Sequence, residues 1–235
     1  DIAADNIGAL IWSKSMEMND MEKPDFLKNA MRNLSIPVIT MEKYGFDCPG
    51  VDILFDYEKG GYMATRHLIE CGHRRIGCVA GKQSFHVTMQ RLNGYKKALE
   101  ESGISYDPDL VYFGDYTMES GYEAFSYILG QKVTAIFSMN DEMAFGIYRA
   151  ARLYGVSIPE DISIIGFDNV PFADVMQVPL TTIGVPVIEM GKKLGEKVVD
   201  LIDNKEKLKE REEILYTPRL LVRGSTKSIP PVTVI

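Results

Sequence analysis

The polar residues most able to do chemistry stand directly behind short apolar runs. Glu42 follows "PVITM", Asp56 follows "VDILF", and Gln83, Ser84, Phe85 and His86 follow "RIGCVA". Asp115 and Tyr116 follow "LVYFG", Asn140 and Asp141 follow "VTAIFS", and Asp168 and Asn169 follow "ISIIGF". A carboxylate accepts from two hydroxyls, a carboxamide both donates and accepts, and an aromatic ring covers an apolar face. Such a set could face a small-molecule ligand. Each residue also has a plainer use, since Asn and Asp are the preferred caps of a helix that begins where a strand ends. The ordered repetition exceeds what capping requires. Asn140 is read as a ligand contact and Asp141 as the cap of the helix that follows.

The elements that must position these residues alternate along the chain. The runs 7–12, 37–41, 51–55, 75–80, 110–114, 133–138 and 162–167 are continuous and apolar, as expected of parallel strands covered on both faces. Amphipathic stretches near 24–34, 57–71, 88–102, 117–129, 141–154 and 187–203 read as helices. The helix over 57–71 puts Tyr62, Thr65, Leu68 and Ile69 on one side and stops at Gly72. Strand–helix alternation implies doubly wound α/β sheets, which bind ligands at the carboxyl ends of their strands. "DNKEKLKEREE" at 203–213 reads as a solvated helix end and loop, and the closing "IPPVTVI" as a tail.

Composition narrows the function. The 235 residues are 46% hydrophobic and 25% charged, with a formal net charge of −7, so the basic footprint of a nucleic-acid surface is missing. The odd cysteine count (Cys48, Cys71 and Cys78) fits a reducing, cytoplasmic compartment rather than a disulfide scaffold. Cys71, His73 and Cys78 lack the second Cys/His pair that a zinc site needs. Dinucleotide and P-loop fingerprints and a G-x-S-x-G elbow are missing too, so no cofactor, metal or catalytic residue is assigned and the chain is not read as an enzyme. Gly60 and Gly61 are read as close packing at a helix start. No run is long enough to span a bilayer. The first residue is Asp1, which marks a fragment or a processed chain.

Taken in order, "DYEKGGYMATRHLIECGHRRIGCVAG", "RLNGYKKALEESGI", "TAIFSMNDEMAFGIYRAARLYGVSIPEDISIIGFDN", "PLTTIGVPVIEMGKKLGEKVVDLI" and "LLVRGST" resemble the effector-binding core of LacI/GalR-type transcription regulators. The resemblance covers nearly the whole chain. It implies two Rossmann-like, doubly wound parallel-sheet subdomains of the periplasmic-binding-protein type, joined by three crossovers with the ligand between them. Residues 1–55 with 186–213 would form the N-terminal subdomain, 56–185 with 214–226 the C-terminal one, and 227–235 a tail. The first strand, helix and strand of the N-terminal subdomain would be missing, as would the helix-turn-helix head. Ligand contacts carried over by the resemblance fall on Arg91, Asn140 and Asp168, with an aromatic wall at Tyr116 and Phe85 nearby. Glu42 stands where the family usually has Asp.

The function so implied is an effector sensor that takes a small molecule, a sugar above all, and so modulates operator DNA binding by a separate head. A secreted sugar-binding protein of a transport system is the alternative. The resemblance also implies a homodimer. The helix over 141–154 is apolar over a wider arc than one sheet contact needs, which suggests a second covered face, with residues 115–120 beside it.

Overall fold

The computed structural model describes residues 7–13, 29, 34, 36–42, 50–204 and 211–230. Its strands are β1 (Leu10–Trp12), β2 (Val38–Thr40), β3 (Gly50–Phe55), β4 (Ile76–Ala80) and β5 (Val111–Phe113). They continue with β6 (Ala135–Ser138), β7 (Ser163–Asp168), β8 (Thr181–Gly184), β9 (Arg211–Tyr216) and β10 (Arg219–Leu221). The helices are α1 (Tyr57–Glu70), α2 (His86–Glu101), α3 (Met118–Gly130), α4 (Asp141–Leu153) and α5 (Val187–Asp203). Most of the expected helix near 24–34, and Cys48, fall outside the described residues. Among the described residues, no helix is long and apolar enough to cross a membrane.

The chain forms two compact units. One comprises Asp1–Asp56 and Pro186–Thr217, the other Tyr57–Val185 and Pro218–Ile235. The first holds a parallel sheet in the order β1-β2-β3-β9. Here the charge run at 203–213 is in part a strand rather than a solvated loop. Arg211 opens β9, is mostly buried, and donates through Nε to Asp52 Oδ2 at 2.9 Å, while Thr40 donates to the same carboxylate. This buried pair ties β2, β3 and β9 together. Since β9 runs in register with β3 as far as Phe55↔Tyr216, the third crossing falls after Thr217 and not at the expected 213.

The second unit holds a sheet in the order β10-β8-β7-β6-β4-β5, parallel except for β10. Its central strands are apolar at every turn because both faces are covered: Cys78, Val79, Phe137, Ile164, Ile165 and Phe167 are all inaccessible to solvent. Each such aliphatic or aromatic side chain contributes about 1.5–3 kcal/mol on burial. Helices α1 and α2 pack against each other, as do α3 and α4. Glycines set both pairs close together. A Cβ on Gly61 would meet the Arg91 carbonyl oxygen at 2.2 Å, and one on Gly94 would meet that of Glu58 at 2.0 Å. Gly121 lies equally tight on Met143, and Gly146 on Met118. Gly60 meets the Phe167 ring, so the Gly60-Gly61 pair is a packing device.

Two expectations are revised by this packing. The wide apolar arc of α4 is consumed within its own unit: Met143, Ile147, Ala150 and Ala151 are inaccessible, Phe145 packs edge-on to Phe172, and the Tyr148 hydroxyl donates to the Val178 carbonyl at 3.1 Å. The tail also docks. Ile229 N donates to the Cys71 carbonyl at 2.8 Å, and His73 Nε2 lies 3.2 Å from the Lys227 carbonyl and 3.0 Å from Ser163 Oγ. On α1, Thr65, Leu68 and Ile69 are buried, but Tyr62 sits at the flank with its hydroxyl on Glu101.

Candidate functional site

The carboxyl ends of β4, β5, β6 and β7 lie side by side because these strands are parallel neighbours. The residues just beyond them therefore meet, and with them comes Arg91, set on α2 where that helix crosses α1. Its guanidinium is almost fully buried and lies 3.9 Å from the centre of the Phe167 ring, 5.0 Å from Tyr57 and 5.8 Å from Tyr116. Nη1 donates to the Met139 carbonyl and Nη2 to Asp168 Oδ1 at 3.2 Å. Nε is buried with no hydrogen-bond partner among the described residues. The aromatic faces and the neighbouring carboxylate offset part of the cost of burying this guanidinium.

Asp168 ends β7 with φ at 108° and keeps about a third of its side chain exposed. Burial pushes its carboxyl above the usual range, and the Arg91 charge pulls against that shift. Among the described residues only Oδ1 is engaged, so Oδ2 can accept from an incoming hydroxyl. Tyr116, also in the left-handed region at φ 73°, shares a 2.7 Å hydrogen bond between its hydroxyl and Thr88 Oγ1. Its ring stacks on Phe85 with centroids 6.1 Å apart and planes 15° from parallel. Gly81 makes room for that ring, since a Cβ there would stand 2.0 Å from it.

Contrary to expectation, the residue that caps the helix is Asn140 and not Asp141. Asn140 caps α4, its Oδ1 accepting from Met143 N at 2.9 Å, while its Nδ2 donates to the Tyr116 carbonyl at 2.9 Å. Asp141 points inward and is inaccessible to solvent. It accepts from Thr182 Oγ1 at 2.7 Å and from Val170 N at 2.9 Å, in a space that exists because position 166 is glycine. Desolvation raises its carboxyl to about 6. Arg91, Asn140, Asp168, Tyr116 and Phe85 are thus gathered in one unit. Glu42 belongs to the other, just beyond β2, where its backbone carbonyl oxygen lies 2.7 Å from Thr40 Oγ1. Asp115 is spent on the Thr117 amide and hydroxyl. Tyr57, Thr88 and Phe167 complete the cluster without having been singled out; Tyr57 follows Asp56 behind a strand, whereas Phe167 reads as one more core residue.

Residues 65–226 match the family of periplasmic binding protein-like domains. A regulatory protein of the LacI family from Chloroflexus aggregans is 30% identical, with a TM-score of 0.79 over 96% of this chain and 79% of that one. The chain belongs to the LacI/GalR family. A LacI family transcriptional regulator from Enterococcus faecalis, solved with bound ribose, is 28% identical, with a TM-score of 0.80 over 97% of this chain and 81% of that one. The HTH-type transcriptional repressor PurR of Photobacterium profundum is 36% identical over 208 residues, 87% of this chain. The chain spans 61% of that repressor's length. These similar proteins are transcriptional regulators rather than enzymes, and the α/β fold of this LacI/GalR chain is theirs.

Proposed function

We propose that the chain is the effector-sensing core of a transcription regulator, and that the strand ends of its larger unit bind an uncharged polyhydroxylated ligand, a sugar. The observation that carries the reading is the buried Arg91–Asp168 pair set among Tyr57, Phe85, Tyr116 and Phe167. The pair is close to neutral as a unit, so it favours hydroxyls over a charged group. The free Asp168 oxygen accepts from a hydroxyl, and the aromatic rings cover the apolar face of a sugar ring. The ribose-bound E. faecalis relative supports the same ligand class. Asn140, with both ends of its amide engaged, contributes chiefly by fixing Tyr116.

Ligand binding would modulate operator DNA binding by a separate N-terminal head, as the repressor relatives suggest. Two heads on one operator call for a homodimer. On α4 the residues available to a partner are Arg149, Arg152, Leu153 and Tyr154, not the buried Ile147. A thermal-shift screen of pentoses, hexoses and disaccharides against the full chain tests the ligand class. Stabilisation by at least one neutral sugar is expected, because a ligand that binds only the folded state raises its stability. Stabilisation by charged ligands alone would overturn it.

A further inference from the structure

The turn that carries Asp168 is held in an unfavourable backbone shape by groups that play no part in ligand contact. Asp168 and Asn169 are consecutive non-glycine residues at φ 108° and 59°. Such conformations persist only where the surroundings over-determine them. Here they do. Val170 N is fixed by Asp141 Oδ2 at 2.9 Å from the start of α4, and the Asn169 amide also faces that carboxylate. Asn169 Oδ1 accepts from Arg223 Nη2 at 2.7 Å. Arg223 is anchored in turn, through Nη1 to the Leu180 carbonyl at 2.8 Å and through Nε to Asp174 at 3.0 Å.

The same short stretch touches two of the places where the chain passes between its units, at 56/57 and 185/186, and a residue five positions beyond the third, at 217/218. The Phe167 ring stacks on Tyr57, the first residue after the first crossing, with centroids 6.3 Å apart. The Asp168 carbonyl accepts from Val185 N at 3.3 Å, the last residue before the second. The Asn169 side chain holds Arg223, a few residues past the third. Consecutive residues thus each grip the chain at, or shortly beyond, a different crossing. Capping or core packing alone would not demand this arrangement.

We propose that the turn 167–170 is the positioning element of the ligand site, and that Asp141, Asn169 and Arg223 are positioning residues that aim Asp168 and couple it to the crossing segments. The proposal rests on the ligand role assigned to Asp168. Since Asp141 is inaccessible and Arg223 is spent on protein partners, their influence on ligand passes through the backbone of the turn.

The test is amide hydrogen exchange on the full chain without ligand, for wild type, Asp141→Asn, Asn169→Gly, Asn169→Asp and Arg223→Gln. Glycine at 169 tolerates the left-handed backbone but loses the acceptor for Arg223, whereas aspartate keeps it. Asp141→Asn, Asn169→Gly and Arg223→Gln should speed exchange at Val170 and Val185 by roughly tenfold or more, as loss of a charge-assisted hydrogen bond implies. Asn169→Asp should behave as wild type. The Val79 and Phe137 amides in the central strands should not change. Equal acceleration at every amide, or Asn169→Gly indistinguishable from wild type, would overturn the proposal. Titration with D-ribose adds a second arm. If ribose binds, Asn169→Gly should weaken it roughly tenfold and Asn169→Asp should not. If ribose does not bind while the exchange pattern holds, the positioning role stands and ribose is excluded as the ligand.

Discussion

Replacement of Asn140 by aspartate separates two jobs that one side chain performs. As a helix cap, aspartate is as good as asparagine, and its charge suits the positive end of α4, a gain of about 0.3–1 kcal/mol. If capping were the whole role, the variant would be neutral or more stable. The structure assigns a second role. Nδ2 of this nearly buried residue donates to the Tyr116 carbonyl at 2.9 Å, fixing a residue whose own φ is 73°. Aspartate would face that carbonyl with a second oxygen. Losing the bond and leaving a buried acceptor unmatched costs about 1–3 kcal/mol. Taking the middle of both ranges, the sum is a net loss of about 1–2 kcal/mol, or roughly 2–8 °C in Tm at 2–4 °C per kcal/mol for a unit of this size. Asn140→Ala loses the cap as well, and should cost about 2–4 kcal/mol. The assay is thermal unfolding of both variants at pH 7 and again near pH 4. As the new carboxyl protonates it regains a donor, so the Asp variant should draw closer to wild type in acid. An Asp variant at least as stable as wild type at pH 7 would refute the reasoning.

The buried titratable groups predict opposing pH effects. Burial lowers His73 and His67 below their ordinary 6.5, so the unfolded chain binds these protons first and their contribution to stability is lost as pH falls below that value. Asp141 is raised from 3.8 to about 6, so the folded state binds its proton more tightly and this group favours folding as pH falls through that window. Unfolding titrations should therefore show His73→Gln with a shallower acid loss than wild type and Asp141→Asn with a steeper one. Gly81→Ala drives a Cβ into the Tyr116 ring, which Phe85 and Thr88 hold in place, and should lower stability by about 1–3 kcal/mol in chemical unfolding. Leu153→Asp with Tyr154→Asp should shift a dimer toward monomer in sedimentation without lowering Tm much, whereas Ile147→Asp, at an inaccessible position, should lower Tm first.

The central strands of both units were legible because a strand covered on both faces has to be a continuous apolar run. β8, β9 and β10 were not recognised. Thr181 and Thr182 hide β8 among polar residues, although each is buried with its hydroxyl hydrogen-bonded, to the Thr226 hydroxyl and the Asp141 carboxylate. β9 begins with Arg211, Glu212 and Glu213, which read as solvated charge until Asp52 is found beside Arg211. The strand ends were the right place to seek a site, and the pairing of Arg91 with Asp168 joins residues 77 positions apart. Which of Asn140 and Asp141 caps the helix was not legible, since both types cap equally well. The inward turn of Asp141 is decided by Gly166 and Thr182, neighbours supplied by strands far along the chain. The rings of Tyr57 and Phe167 around Arg91 were hidden for the same reason.

The most direct test of the central claim is calorimetric titration of wild type and Asp168→Ala with a neutral sugar that stabilises the wild-type chain. The variant should stay folded but lose stability, because Arg91 is left buried without its carboxylate, and its affinity should be lower by about 1.5–3 kcal/mol, the worth of hydrogen bonds to a charged group. Equal affinity in the two proteins would remove Asp168 from the site and contradict the account.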